Sequence, residues 1–220
     1  MLPRRAPLQV PPPADDTALG DLRFRALLSR DDWNKLPEAV RKRFSKRLSG
    51  GGTALYVGKV TAVRMSRAGR VLGKLLRPAG APLPLFADVG VASVVSVTED
   101  ARTGGQVWTR MYANRQGFPQ VIQSAKRFLG TTGLEEYVGG GVSMALEVRA
   151  SEEGIAFHSA GYSVSLASVR IPIPRWLSPG DLVVTHRALD NDSFEFSMTL
   201  THPLLGELIH QAAIYRDQAS

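Results

Sequence analysis

Trp108, Arg110 and Tyr112 are spaced two apart, so in an extended chain all three project to one side. An arginine between two aromatics in that pattern can bind a carboxylate or a phosphate on a pocket wall. It can equally be half of an internal ion pair, because buried arginines are rarely unpaired. Glu135 and Glu136 are the carboxylates that would hold it. With His186 they complete a polar set that an enzyme could use for binding and proton transfer. Pro172-Ile173-Pro174-Arg175-Trp176-Leu177 is stiff and apolar, and its prolines keep it out of a central strand. Trp176 therefore belongs at the rim of a cavity or plugs a corner.

Other chemistries are excluded or disfavoured. The chain has no cysteine, which rules out a thiolate nucleophile, a cysteine zinc site, an iron–sulfur cluster and a disulfide scaffold. The four histidines, His158, His186, His202 and His210, form neither an HxH nor an HExxH spacing, so no metal site and no cofactor are expected. His202 precedes a proline and reads as structural. His210 shares its strand parity with Leu208, Ala212 and Ile214, which suggests a core or pocket-rim histidine. No G-x-S-x-G is present. Gly50–Gly52 follows a helix and Gly139–Gly141 lies between strands, so both read as turns rather than phosphate loops. The binding candidates are thus Trp108, Arg110, Tyr112, Glu135, Glu136, Trp176, His186 and His210.

The elements that must position these groups change character along the chain. Residues 1–18 are proline-rich and read as disordered. Residues 19–220 read as one domain, helical over 19–50 and 66–77 and β over 53–65 and 86–216. Leu19–Leu28 is a short helical candidate. Trp33, Leu36, Val40, Phe44 and Leu48 form one apolar stripe, which predicts a helix over Asp31–Leu48 with Pro37 at its opening. Ser66 is a plausible N-cap for a helix reaching Arg77. Arg67, Arg70, Lys74 and Arg77 lie on one side of that helix, and Ala68, Val71, Leu72, Leu75 and Leu76 on the other. After Phe86, strands and turns alternate. Val142, Met144, Leu146 and Val148 share one face, as do Phe194, Phe196, Met198 and Leu200, which is the pattern of an antiparallel sheet with one dry face. Eight to ten such strands call for a strongly curved, barrel-like sheet with the N-terminal helices packed against it, an α+β fold.

Charge separates the same two regions. The whole chain carries 27 Lys and Arg against 20 Asp and Glu, a net of +7. Residues 1–77 hold 17 basic and 6 acidic side chains, and residues 78–220 hold 10 and 14. The basic character therefore belongs to the N-terminal third, and nucleic acid is disfavoured as a partner of the β body. No window is apolar enough for a membrane-spanning helix and no signal-peptide pattern is present, so a cytoplasmic protein is expected.

From about Leu22 to Tyr215 the chain resembles the DUF4166 family, a bacterial domain of unknown function. The matching pieces are Trp108-Thr109-Arg110-Met111-Tyr112, Gly133-Leu134-Glu135-Glu136 with Gly139, Ile171-Pro172-Ile173-Pro174-Arg175-Trp176-Leu177 and His202-Pro203-Leu204-Leu205-Gly206. The chain departs from the pattern near His186, where family members often carry a glutamate, and at Tyr215-Arg216, where tyrosine-glycine is expected. The family sometimes follows a saccharopine-dehydrogenase-like NAD(P)-binding domain, which implies an oxidoreductase as a partner.

Three functions follow. The leading one is binding of a small apolar or amphipathic ligand inside the curled sheet, with Arg110, Trp108, Tyr112 and Trp176 fixing its polar end. The second is an enzyme, or the accessory domain of an oxidoreductase, using Arg110, Glu135, Glu136 and His186. The third is a peripheral protein that meets an anionic membrane or a partner through the basic helix.

Overall fold

The computed structural model describes residues 20–77, 80, 83–167 and 169–218. The proline-rich segment 1–18, together with Pro78 and Pro82, lies outside the described residues.

Among the described residues four α-helices precede or interrupt the sheet: α1 (Arg23–Ala26), α2 (Arg30–Lys35), α3 (Glu38–Phe44) and α4 (Arg67–Leu75). The stripe expected as one helix is broken at Leu36, whose backbone is extended (φ −62°, ψ 141°). Pro37 imposes this, since its ring disfavours a helical residue before it. The stripe survives the break, and Trp33, Leu36, Val40, Phe44 and Leu48 are all buried. Ser66 caps α4, its hydroxyl accepting the Gly69 N–H at 3.0 Å.

The strands are β1 (Thr53–Met65), β2 (Ala92–Asp100), β3 (Gly105–Asn114), β4 (Gly117–Arg127), β5 (Glu135–Gly139), β6 (Val142–Ala150), β7 (Gly154–Leu166), β8 (Val169–Ile173), β9 (Asp181–Ala188), β10 (Ser193–His202) and β11 (Gly206–Asp217). All pair antiparallel, in the order β6-β5-β4-β3-β2-β1-β11-β10-β9-β7-β8. Pairing of β6 with β7, from Val142–Val164 to Ala150–Ile155, closes ten of them into a barrel. β7 is long enough to serve two neighbours on its other edge: its first half pairs with β9 and its second half with the eleventh strand, β8. Closure removes the free edges that an open sheet of this size would carry. With helices of only 4, 6, 7 and 9 residues, the fold is mostly β, so α+β overstates the helical part.

The two ends of the barrel differ. At the end holding the start of β1 and the close of β11, helices α1–α3 form a plug. Phe24 meets Phe44, Phe128 and Phe157 edge-on, and Arg43 donates to Asp217 at 2.9 Å. At the other end α4 crosses the mouth. Gly69 allows this close approach, since a Cβ there would stand 2.1 Å from the Leu208 carbonyl oxygen. Gly69→Ala in an open helix would stabilise by about 1 kcal/mol. Here the clash reverses the sign, and a net loss of about 1–3 kcal/mol is expected in urea denaturation.

Candidate functional site

Between plug and mouth the barrel interior divides into a filled half and an empty half. The filled half takes Trp108, Phe194, Phe196, Tyr56 and Tyr215, with Trp108 stacked on Phe196 and Phe194 on Tyr215. The empty half is a cavity of about 380 Å³ at the α4 end. Alternation supplies its walls: Val142 and Met144 from β6, Val184 from β9, Met198 and Leu200 from β10. Ala68 and Leu72 of α4 and its C-cap Leu76 form the lid, so three of the five residues on the expected apolar side face inward. Val71 and Leu75, expected to be covered as well, are exposed beside the basic residues. Leu177, in the 3-10 turn Arg175–Leu177, and Leu205, in the β10–β11 turn, border the mouth.

One buried ionic cluster interrupts this apolar lining. Arg110 on β3 and Glu136 on β5 both reach the cavity wall, with Ser124 and Lys126 of β4 between the two strands. Ser124 Oγ donates to Glu136 Oε1 at 2.6 Å, Lys126 Nζ donates to Oε2 at 2.9 Å, and Arg110 Nη2 donates to Ser124 Oγ at 2.6 Å. Arg110 Nη2 lies 3.6 Å from Glu136 Oε1. All four side chains are buried. Burial opposes ionisation of Glu136, but the charge of Lys126, then that of Arg110 and the Ser124 hydroxyl, outweigh it and hold the carboxyl down to about 2. Burial holds Lys126 below the ordinary lysine range despite Glu136. Two basic groups thus share one carboxylate, and Arg110 Nε is buried with no hydrogen-bond partner among the described residues. A buried donor without a partner is costly and calls for an acceptor.

The remaining candidates are dispersed. Trp108 and Tyr112 project inward with Arg110, but neither lines the cavity: Trp108 belongs to the filled half and Tyr112 lies beside Tyr215. Glu135, next in sequence to Glu136, points to the opposite side of β5 and pairs with Arg170. Trp176 is exposed on the 3-10 turn, and its neighbour Leu177 takes the rim position instead. His186 is buried in the filled half, stacked on Phe194 at 4.2 Å. His210 does not share a face with Leu208. The register shift between β10 and β11 near Leu208 changes the parity, so His210 meets Thr199, whose hydroxyl lies 2.9 Å from its Nδ1. Arg110 and Glu136 therefore meet, while Glu135 and His186 lie apart from them.

Two polar groups at the cavity escape a reading by spacing. Tyr162 on β7 lines it and donates to the Gly180 carbonyl at 3.0 Å, and burial pushes its phenol up to about 12. His202 borders the mouth, its Nδ1 accepting the Leu204 N–H at 3.2 Å. Both arrive by long-range pairing, and only their place beside a proline or on an alternating strand was visible beforehand. Among the described residues no group of three or more histidine and acidic side chains comes together as a metal site.

A family model described as "Domain of unknown function (DUF4166)" matches residues 36–214 of the 220. The chain belongs to this family. The matched DUF4166 segment contains every barrel strand except the last residues of β11, and every residue that lines the cavity. No curated protein and no solved structure matches the chain. For this DUF4166 domain the chemistry of the site itself must carry the functional argument. With Glu136 held ionised by its basic neighbours, this part of the cavity wall offers charge and hydrogen bonds.

Proposed function

We propose that this barrel binds one small amphipathic molecule in the cavity beneath α4. The observation that carries the reading is an apolar cavity of about 380 Å³ with an unpartnered Arg110 Nε–H at its wall. That volume lies in the range of small-molecule sites, which are typically apolar with a few placed polar groups. A hydrocarbon portion would lie among Leu72, Met144, Met198 and Leu200. A carboxylate or other acceptor would face Arg110, where two basic groups share a single carboxylate.

Native mass spectrometry of the purified protein, followed by displacement of a fluorescent fatty-acid probe, tests this. A co-purified adduct or saturable probe binding of one molecule per chain is expected. Met144→Trp places a large ring in the cavity and is expected to weaken the probe at least about tenfold, with unchanged circular dichroism. Neither adduct nor probe binding in the unaltered protein would overturn the proposal.

A further inference from the structure

We propose that the open end of the barrel is a docking surface for an anionic lipid bilayer, with the cavity mouth facing the membrane. Three segments far apart in sequence meet there, because each borders the same cavity: α4, the 3-10 turn and the β10–β11 turn. Each sends large apolar side chains into solvent. Leu75 of α4 is 71% exposed, Trp176 of the 3-10 turn 78% and Leu204 of the β-turn 87%, with Val71, Leu177 and Leu205 beside them. Single exposed apolar residues are ordinary, but a cluster gathered at one cavity mouth marks an interaction site.

Charge identifies the occupant. Arg67, Arg70 and Lys74 of α4 and Arg77 just after it are exposed, as is Arg175 of the 3-10 turn, and none has a carboxylate partner among the described residues. Glu207, next in sequence to the Leu208 that Gly69 of α4 approaches, is already held by Arg64 at 2.9 Å. A second copy of the chain would bring the same cations face to face. An anionic bilayer instead accepts the cations at its headgroups and leucine and tryptophan at the acyl boundary. At the plugged end the large aromatics Phe24, Trp33 and Phe44 are buried. The proposal stands without the ligand reading, although it would let an amphipath pass between bilayer and cavity.

The tryptophans supply the test. Trp33 and Trp108 are buried, so lipid-dependent changes in emission report on Trp176. The full chain, mixed at low salt with phosphatidylglycerol–phosphatidylcholine vesicles, is expected to co-sediment and to shift its emission to the blue. Brominated acyl chains are expected to quench it. Phosphatidylcholine vesicles alone should leave both signals unchanged. Lys74→Gln is expected to lower vesicle partitioning about fivefold, as expected for one cation near an anionic surface. Leu204→Ser should weaken the association while leaving the far-ultraviolet spectrum intact. No sedimentation with anionic vesicles would overturn the proposal, as would sedimentation with no change at Trp176. A Trp176 shift on concentrating the protein without lipid would assign the surface to self-association instead. Met144→Trp should bind vesicles normally, so failure of the cavity reading and failure of this one remain distinguishable.

Discussion

Glu136→Gln is expected to cost about 3–5 kcal/mol, a large part of the 5–15 kcal/mol that holds a typical domain folded. The substitution keeps shape but turns one acceptor oxygen into a donor and removes the one carboxylate that Lys126 and Arg110 share. Two basic groups then remain buried side by side. The cost is the desolvation of charge left unpaired, rather than the worth of the ion pairs, because such pairs roughly repay their own burial. Lys126 limits the loss. Burial already lowers its affinity for a proton, and without Glu136 it would ionise less readily still. Denaturant unfolding at neutral pH measures the effect. Adding Lys126→Met should recover much of the stability, since it removes one of the two stranded bases and leaves an apolar chain beside Trp108 and Phe157. A loss below about 1 kcal/mol in the single variant would show that water enters the cavity freely and solvates the cluster.

The strands of the barrel were legible because burial on one face writes itself as alternation. Val142 and Met144 face the cavity, and Phe194, Phe196, Met198 and Leu200 face the interior, as their spacing indicates. The Ser66 cap was legible for a similar reason, a local signal read locally. Closure was not, because it depends on β6 meeting β7 while β7 exchanges β9 for β8 part-way along its length. The site was half legible. Arg110 and Glu136 stood out as types, but the cross-strand pairing that sets Lys126 opposite Glu136 is a property of register. Lys126 carried no signal of its own. His210 was misplaced by one irregular pairing near Leu208, since a single extra residue reverses every later side chain. The break at Leu36 was hidden by the stripe itself, which runs on across the kink.

Acidification should destabilise the protein from pH 6.5 downward, and His186 should be the main cause. Its ring is buried, stacked on Phe194 at an interplanar angle of 17° and meeting Phe44 edge-on at 5.2 Å. Its Nδ1 has no partner among the described residues. Burial, and then the charge of Arg43, press its pKa from 6.5 down to about 3. Between those values the unfolded chain binds a proton that the folded chain refuses, so stability falls as pH falls. Full passage through the window amounts to about 5 kcal/mol at 1.36 kcal/mol per unit. Glu136 acts in the same direction but lower, with a folded value of about 2 against 4.5, so its contribution is lost below pH 4.5. The interval from pH 6.5 to 4.5 therefore isolates the histidine, at about 2 kcal/mol. His158 is shifted downward too, by burial and Arg149, so the quantity to read is the difference between the unaltered protein and a His186 variant. His186→Phe keeps a ring against Phe194 and removes the titration. Its unfolding free energy should be much flatter from pH 6.5 to 4.5, and equal slopes in the two proteins would mean that His186 reaches water in the folded barrel.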